Sequence, residues 1–263
     1  MIFPRIITGL IGIPILLFLI YHGGLAYSAF VATVCILCLY EYGVILTLGR
    51  RPVRTWLCVM GGGAMAVFVA LGFPAQIPFA FMAAATVLLE MAAKDASIER
   101  LALTVFGACF FGILPAYLGP IRALGSAGRA ASFLLFICIW ATDIAAYAVG
   151  KTLGSHPLAP ALSPNKTWEG AAAGFVAALV ASCGFSTLSR GTLPMTEALA
   201  LGVLIGIFGQ LSDLAESLIK RSVGVKDSGA ILPGHGGIMD RFDSFLLAAP
   251  LFYYCLIIFG LGK

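Results

Sequence analysis

The sequence predicts an all-α, polytopic integral membrane protein, and three observations support this fold class. The chain has 263 residues, of which 60% are hydrophobic and only 11% are charged. Its mean hydropathy is +1.02, whereas a soluble domain carries about 25% charged residues. Long apolar runs also follow one another along the chain. Because backbone groups in lipid must bond within their own segment, these runs predict transmembrane helices.

The apolar runs predict about nine transmembrane helices. The first run follows Arg5 and could be mistaken for a signal peptide. It lacks a small-x-small cleavage site and another run follows at once, so we expect a retained helix. The third and fourth runs are short because glycines and prolines interrupt them. The predicted spans lie near 4–22, 24–41, 56–73, 76–93, 101–119, 131–150, 169–189, 196–219 and 241–260.

The basic residues predict the orientation of these spans. With a cytoplasmic N-terminus, the cytoplasmic segments contain twelve of the sixteen Lys and Arg residues. The positive-inside rule therefore predicts that the N-terminus is inside and the C-terminus outside. We expect a multi-pass protein of the cell (inner) membrane. The loops 151–168 and 220–240 then face the cytoplasm. The net charge of +4 is explained by topology and does not indicate nucleic-acid binding.

Polar residues divide the chain into two regions of one integrated membrane domain. Residues 1–120 have few polar residues in their spans and are predicted to be a scaffold. Residues 121–263 carry most of the candidate chemistry and are predicted to be the catalytic region.

The seven Cys residues lie mostly in apolar runs, so we interpret Cys35 and Cys38 as lipid-buried residues and expect no disulfides.

One candidate site lies on the eighth predicted span. Gln210, Asp213, Glu216, Ser217 and Lys220 are three or four residues apart and share one helix face. Acids near or inside a span are costly to bury and usually mark functional sites. The alternative is an interhelical hydrogen-bond seam or a solvated helix end.

The second candidate is the loop after that span. Its glycines prevent a continuous helix and expose N–H groups that can bind phosphate oxygens. Asp240 and Asp243 are three residues apart, and two carboxylates with waters commonly hold Mg²⁺. A basic loop that binds anionic lipid is the alternative, but it explains neither the acids nor the glycines. The cations beside them are Lys220, Arg221, Lys226 and Arg241.

Two further segments complete the candidates. In SPNKTWEG, Lys166 is a cation suited to phosphate and Thr167 can cap the helix that begins at Trp168. A plain loop with an N-cap is the alternative. In WATDIAAYAVGK, Asp143 lies inside the sixth span with Tyr147 one turn later. An acid at this depth needs a partner, and a metal ion or Lys166 are the candidates.

Residues 217–243 match S-x-x-K-R-x4-K-D-x-G-x2-L-P-G-H-G-G-x2-D-R-x-D. This pattern resembles the signature of the phosphatidate cytidylyltransferase family, the bacterial CDP-diacylglycerol synthases. The segments SPNKTWEG and WATDIAAYAVGK also resemble family elements and occur in the family's order. Asn165 stands where the family often has a second Lys or a small residue, so we assign it no role. The resemblance covers the C-terminal half by motif and the N-terminal half only by hydropathy.

The resemblance implies transfer of CMP from CTP to phosphatidic acid, giving CDP-diacylglycerol and pyrophosphate, with Mg²⁺ as cofactor. It also implies a homodimer in membrane lipid with a polar cavity open to the cytosol. Whether a second, monovalent ion takes part stays open. Asp213 and Asp240 are the implied metal ligands. The implied catalytic residues are Asp213, Asp240, Asp243, Lys220 and Arg221. The implied substrate-binding residues are Ser217, Lys226, Asp227, His235, Gly236, Gly237, Arg241, Asp143, Ser163, Lys166 and Thr167.

Two other functions fit parts of the sequence. A secondary transporter for an anionic solute also has intramembrane acids and broken helices, but we find no inverted repeat with paired helix breaks. Another enzyme of lipid phosphates, such as a polyprenol kinase or a CDP-alcohol phosphotransferase, is the second alternative. The phosphotransferase pattern D-x2-D-G-x2-A-R is absent from the sequence. No residue pattern specifies cytosine over another base.

Overall fold

The fold is that of a computed structural model, which describes residues 3–189, 192–231, 234 and 236–261. Helices account for nearly all of its regular structure, as predicted. The N-terminal helices are α1 (Phe3–His22), α2 (Gly24–Leu48), α3 (Thr55–Ala70), α4 (Gln76–Met91), α5 (Ile98–Gly107) and α6 (Leu118–Ala123). The later helices are α7 (Gly125–Leu153), α8 (Trp168–Leu188), α9 (Met195–Ser222), α10 (Met239–Phe242) and α11 (Phe245–Ile258).

The predicted membrane spans correspond to apolar helices. Within the described residues, six helical segments are long and apolar enough to cross a membrane, and three shorter apolar helices accompany them. The third and fourth predicted spans are indeed short, since α3 and α4 have 16 residues each. The polytopic all-α class is thereby confirmed, and the count of nine crossings stays a prediction.

Two predicted spans differ from the helices in detail. The second was expected to end near residue 41, where Glu41 interrupts the apolar run, but α2 continues to Leu48. The fifth is not one regular helix: a π-helical turn (Ala108–Ile113) and a 3₁₀ turn (Pro115–Tyr117) separate α5 from α6. Pro115 lacks the N–H that a regular helix needs, which accounts for the irregularity beside it.

A short antiparallel hairpin interrupts the otherwise helical fold. Strand β1 (Pro157–Ala159) pairs with β2 (Ser163–Thr167), with Pro157 opposite Thr167 and Ala159 opposite Ser163. It lies in the loop 151–168, which the sequence predicted only as a loop. Thr167 ends β2 and its side-chain oxygen accepts a hydrogen bond from Gly170 N at 3.1 Å. The predicted N-cap of α8 is therefore confirmed.

The described chain forms two compact units by internal contacts. The first comprises Met1–Pro120 and Ile219–Phe242, and the second comprises Ile121–Leu218 and Asp243–Lys263. One boundary coincides with the predicted division at residue 120. The segment 219–242, however, groups with the N-terminal residues, although the sequence placed it in the C-terminal region. The assignment of scaffold and catalytic roles to the two regions stays a prediction.

Each unit has its own packing. In the first, Glu90 lies between two cations and accepts hydrogen bonds from Arg54 Nε at 2.7 Å and Arg100 Nη2 at 2.6 Å. These bonds join the ends of α3, α4 and α5. In the second unit, α7 and α8 pack closely, and a Cβ on Gly170 would lie 2.7 Å from the carbonyl oxygen of Ala146. This close approach aligns the part of α7 that carries Asp143 with the start of α8.

Candidate functional site

Three carboxylates converge in the second unit. Asp213 and Glu216 are one turn apart on α9, and Asp243 lies between α10 and α11. One carboxylate oxygen from each residue lies within 4.8 Å of the other two. Glu216 is fully buried, with 0% of its surface exposed. We call these three residues the acid cluster.

Ser212 fixes the position of Asp243 in the acid cluster. The Ser212 hydroxyl donates to the backbone carbonyl of Asp243 and accepts a hydrogen bond from Leu247 N at 3.0 Å. Oδ1 of Asp243 accepts a hydrogen bond from Ser244 N at 2.6 Å. Because Ser212 precedes Asp213 on α9, these bonds hold the start of α11 beside the acids of α9.

Charge repulsion determines what the acid cluster can hold. Three anionic carboxylates so close together repel strongly away from water, so a proton or a cation must offset the charge. Carboxylate oxygens are hard ligands of the kind that Mg²⁺ and Ca²⁺ prefer. The donor set therefore fits a divalent cation.

A cavity of about 580 Å³ adjoins these acids in the second unit. Asp213 lines it, as do Lys166 and Thr167 from the hairpin and Asp143 from α7. The Lys166 ammonium forms an ion pair with Asp213 Oδ2. The remaining lining residues are Ala146, Tyr147, Gly150, Lys151, Leu158, Asn165, Gly170, Ala171 and Gln210.

Both basic and acidic side chains lie at the wall of the cavity. Lys151 lies with its ammonium 3.3 Å from the Tyr147 hydroxyl and is exposed. Gln210 donates to the Ala171 carbonyl at 3.1 Å, which ties α9 to α8. The space therefore offers ammonium groups for an anion beside carboxylates that can hold a metal ion.

Asp240 occupies a separate polar centre in the first unit. Its Oδ1 accepts a hydrogen bond from Lys220 Nζ at 2.7 Å, and its Oδ2 accepts bonds from Ser228 N and Gly237 N at 3.1 Å each. Gly236 and Gly237 belong to the same loop, in which Gly236 has a φ of +86°. Such a turn is open to glycine and strained for other residues.

The other basic residues of this loop are more open to solvent. Arg221 is exposed and donates to the Val225 carbonyl at 3.1 Å, and Lys226 and Arg241 are exposed as well. Exposed guanidinium and ammonium groups can approach anionic phosphate without first breaking a buried ion pair.

Comparison with known protein families assigns the chain to one of them. The model of the cytidylyltransferase family matches residues 3–259. The chain belongs to the cytidylyltransferase family. A protein of Synechocystis sp. is 34% identical over 286 residues, which cover 97% of this chain and 96% of the relative. A Brucella suis protein is 34% identical over 262 residues, covering 97% and 93%. A Bacillus subtilis protein is 43% identical over 164 residues, covering 62% of this chain and 61% of the relative.

All three relatives bear the name phosphatidate cytidylyltransferase. The pattern of residues 217–243 predicted a resemblance to the phosphatidate cytidylyltransferase family, and the comparisons confirm it. The family match also favours a nucleotidyltransferase over the transporter that the sequence left open.

The structure distributes the predicted site residues over both units. It brings Asp143, Lys166, Thr167 and Asp213 to one cavity, and it groups Asp213 with Asp243. Asp240 lies in the first unit, so its predicted sharing of a metal ion with Asp213 stays a prediction. The other predicted residues have these positions: Ser163 is half-buried in β2, Ser217 is half-buried on α9, Asp227 is exposed, and His235 lies outside the described residues.

Sequence reasoning missed three residues of this cytidylyltransferase. Ser212 binds the backbone of Asp243 and Leu247, and Glu41 accepts hydrogen bonds from Ser228, Ile238 and Met239. These bonds form only through folding, and no local motif marks either residue. Asn165 was given no role but lines the cavity. Glu41 had one visible signal, since it is an acid inside an otherwise apolar run.

Proposed function

We propose that this cytidylyltransferase transfers CMP from CTP to phosphatidic acid, giving CDP-diacylglycerol and pyrophosphate. The name shared by relatives that match 97% of the chain supports this reaction. The structural observation that carries the proposal is the acid cluster beside a cavity lined by Lys166. Carboxylates for a cation and ammonium groups for phosphates are what a reaction between two anions requires.

The proposed chemistry needs little from a general base. A phosphate monoester is largely ionised at pH 7 and supplies the attacking oxygen itself. A bond forms from this oxygen to the α-phosphorus of CTP. The bond from that phosphorus to the bridging oxygen of the β-phosphate breaks, and pyrophosphate leaves with the electron pair. The protein therefore has to bring the two anions together and compensate their charge.

We assign the compensation of the phosphate charges to residues of each unit. Asp213, Glu216 and Asp243 would hold Mg²⁺, which when bound supplies positive charge to the CTP phosphates. Lys166 at the cavity, and Arg221, Lys226 and Arg241 on the loop, would bind phosphate oxygens. Asp240 stays a proposed ligand as well, because its carboxylate oxygens are hard ligands of the kind that Mg²⁺ prefers.

The setting of the enzyme is also part of the proposal. The distribution of Lys and Arg supports an active site on the cytoplasmic face of the cell membrane, where CTP is available. We propose a homodimer, as the family resemblance implies.

One assay tests the proposed reaction. Purified full-length protein in detergent is incubated with phosphatidic acid, Mg²⁺ and each α-³²P-labelled nucleoside triphosphate in turn. We expect a labelled lipid only with CTP, formed in equal amount to released pyrophosphate. Absence of labelled lipid with CTP, or equal labelling from all four nucleotides, refutes the proposal.

A further inference from the structure

Glu41 is a buried acid in the first unit, outside the acid cluster. It lies on α2, 2% exposed, in a helix that is long and apolar enough to span the membrane. Burying a carboxylate in such a helix is costly unless hydrogen bonds or opposite charge compensate it. The contacts of Glu41 explain why it is tolerated there.

Both oxygens of Glu41 bind the loop that precedes α10. Oε1 accepts a hydrogen bond from Ile238 N at 3.0 Å. Oε2 accepts bonds from Met239 N at 2.8 Å and from the Ser228 hydroxyl at 2.9 Å. The donors are far from Glu41 in sequence, so one side chain fastens two points of the loop to α2.

The same loop points also hold Asp240. Ser228 uses its hydroxyl for Glu41 and its backbone N–H for Asp240, and Gly237 N donates to Asp240 from the residue before Ile238. The loop is therefore bound between two carboxylates. One of them, Asp240, pairs with Lys220. A shift of the loop at Glu41 would move the donors that orient Asp240.

Two glycines of the signature are explained by this arrangement. A Cβ on Gly229 would lie 2.7 Å from Glu41 Oε1, and one on Gly237 would lie 1.8 Å from Ser228 Oγ and 2.5 Å from Glu41 Oε2. Real Cβ atoms do not approach that closely, so larger residues would displace the Glu41 carboxylate. Glycine at both positions thus leaves room for the Glu41 carboxylate and the Ser228 hydroxyl against the loop.

We infer that Glu41 is a positioning residue of this enzyme, which anchors Ser228 and the segment 236–239 and through them orients Asp240 and Lys220. Its function in turnover depends on the proposed reaction, whereas the anchoring depends only on the contacts above. Glu41 acts through the loop backbone, and we assign it no contact with substrate.

The test variant is Glu41→Gln, which keeps the side-chain shape. A Gln offers one acceptor oxygen where Glu41 uses two, and its NH₂ group would face an N–H or hydroxyl donor. We expect faster hydrogen exchange at the Ile238 and Met239 amides. We also expect kcat to fall by about 100-fold with little change in the KM for CTP, because misplaced groups affect the transition state more than binding.

Glu90→Gln is the matched control, since Glu90 is another buried acid of the same unit that binds Arg54 and Arg100. It should lower thermal stability but leave exchange at Ile238 and Met239 unchanged. Ser228→Ala removes one of the three donors and should cause a smaller change of the same kind. If Glu41→Gln does not fold, Ser228→Ala still tests the inference by the same two measurements.

The outcomes separate this inference from the proposed reaction. The positioning role is overturned if the Ile238 and Met239 amides of Glu41→Gln exchange at the wild-type rate. It is also overturned if these amides exchange faster but kcat stays normal. An equal change in exchange from Glu90→Gln overturns it too, since loosening would then be general. A wild-type protein that makes no labelled lipid refutes the reaction, while the exchange measurement still decides whether Glu41 anchors the loop.

Discussion

The ammonium of Lys220 lies 2.7 Å from Asp240 Oδ1, and the two side chains are only 11% and 10% exposed. The same carboxylate accepts backbone hydrogen bonds from Ser228 and Gly237. Such charge-assisted bonds in a largely buried setting are strong, but each ion then depends on the other. Removing either charge takes from its partner the opposite charge of this pair.

We therefore predict that Asp240→Asn loses both activity and stability. Activity should fall to background, because the variant removes a proposed metal ligand and misorients Lys220. The folded protein should lose about 3 kcal/mol, since the largely buried Lys220 ammonium loses the opposite charge of this pair. Labelled-lipid formation and thermal unfolding in detergent measure the two effects.

The double variant Asp240→Asn with Lys220→Met separates these two effects. It removes the buried ammonium together with the carboxylate, so it should recover most of the stability while activity stays at background. If activity returns together with stability, Asp240 has only a structural function and its proposed role in the reaction is wrong.

The acid cluster leads to a prediction about metal dependence. In the absence of divalent ions, Glu216→Gln should raise the Tm, because one of three mutually repelling charges is removed from a fully buried position. In wild type, Mg²⁺ should raise the Tm by mass action, and this rise should shrink in the variant.

Activity should follow the same residues. Glu216→Gln, Asp213→Asn and Asp243→Asn should each reduce kcat by about 100-fold or more, since each removes charge that the proposed metal site needs. Glu99→Gln is the control, because Glu99 is half-exposed and pairs with Arg51 in the other unit. A cluster variant that retains the full Mg²⁺-induced rise in Tm would show that the ion binds elsewhere.

The exposed cations of the loop should affect binding more than stability. Lys226→Gln and Arg241→Gln should raise the KM for CTP severalfold and leave the Tm unchanged, because neither side chain is buried. The measurement is made in a neutral detergent and repeated in vesicles with anionic lipid. An effect confined to the vesicles would mean that these residues bind lipid headgroups and not the nucleotide.

The sequence predicted the helical class and the polar helix face because both depend on local patterns. Periodic spacing placed Asp213 and Glu216 on one side of α9, and the sharp change in composition marked the loop that contains Asp240. The N-cap at Thr167 was predictable for the same reason, since a cap is formed by residues adjacent in sequence.

The contacts between distant segments could not be predicted from spacing. The bonds from Glu41 to Ser228 and Ile238 join residues 187 and 197 positions apart. No local pattern encodes such a pairing, so residue spacing could not predict that Glu41 binds this loop. The end of α2 was misplaced for the same reason: Glu41 interrupts the apolar run in sequence, but hydrogen bonds from the loop satisfy it in the fold.

The packing of α7 against α8 gives a prediction with a control on the same helix. Gly170→Ala should destabilise the protein by about 1–3 kcal/mol, because its Cβ would lie 2.7 Å from the Ala146 carbonyl oxygen and force the helices apart. Gly184→Ala places its Cβ where no atom lies within 4 Å, so it should leave the stability unchanged or raise it.

Activity should distinguish these two variants as well. Asp143 on α7 and Lys166 just before α8 both line the cavity, so separating the helices should raise the KM for CTP in Gly170→Ala. Gly184→Ala should retain wild-type kinetics. Equal stability and equal KM in the two variants would show that the approach at Gly170 can relax without cost, and that the cavity does not depend on it.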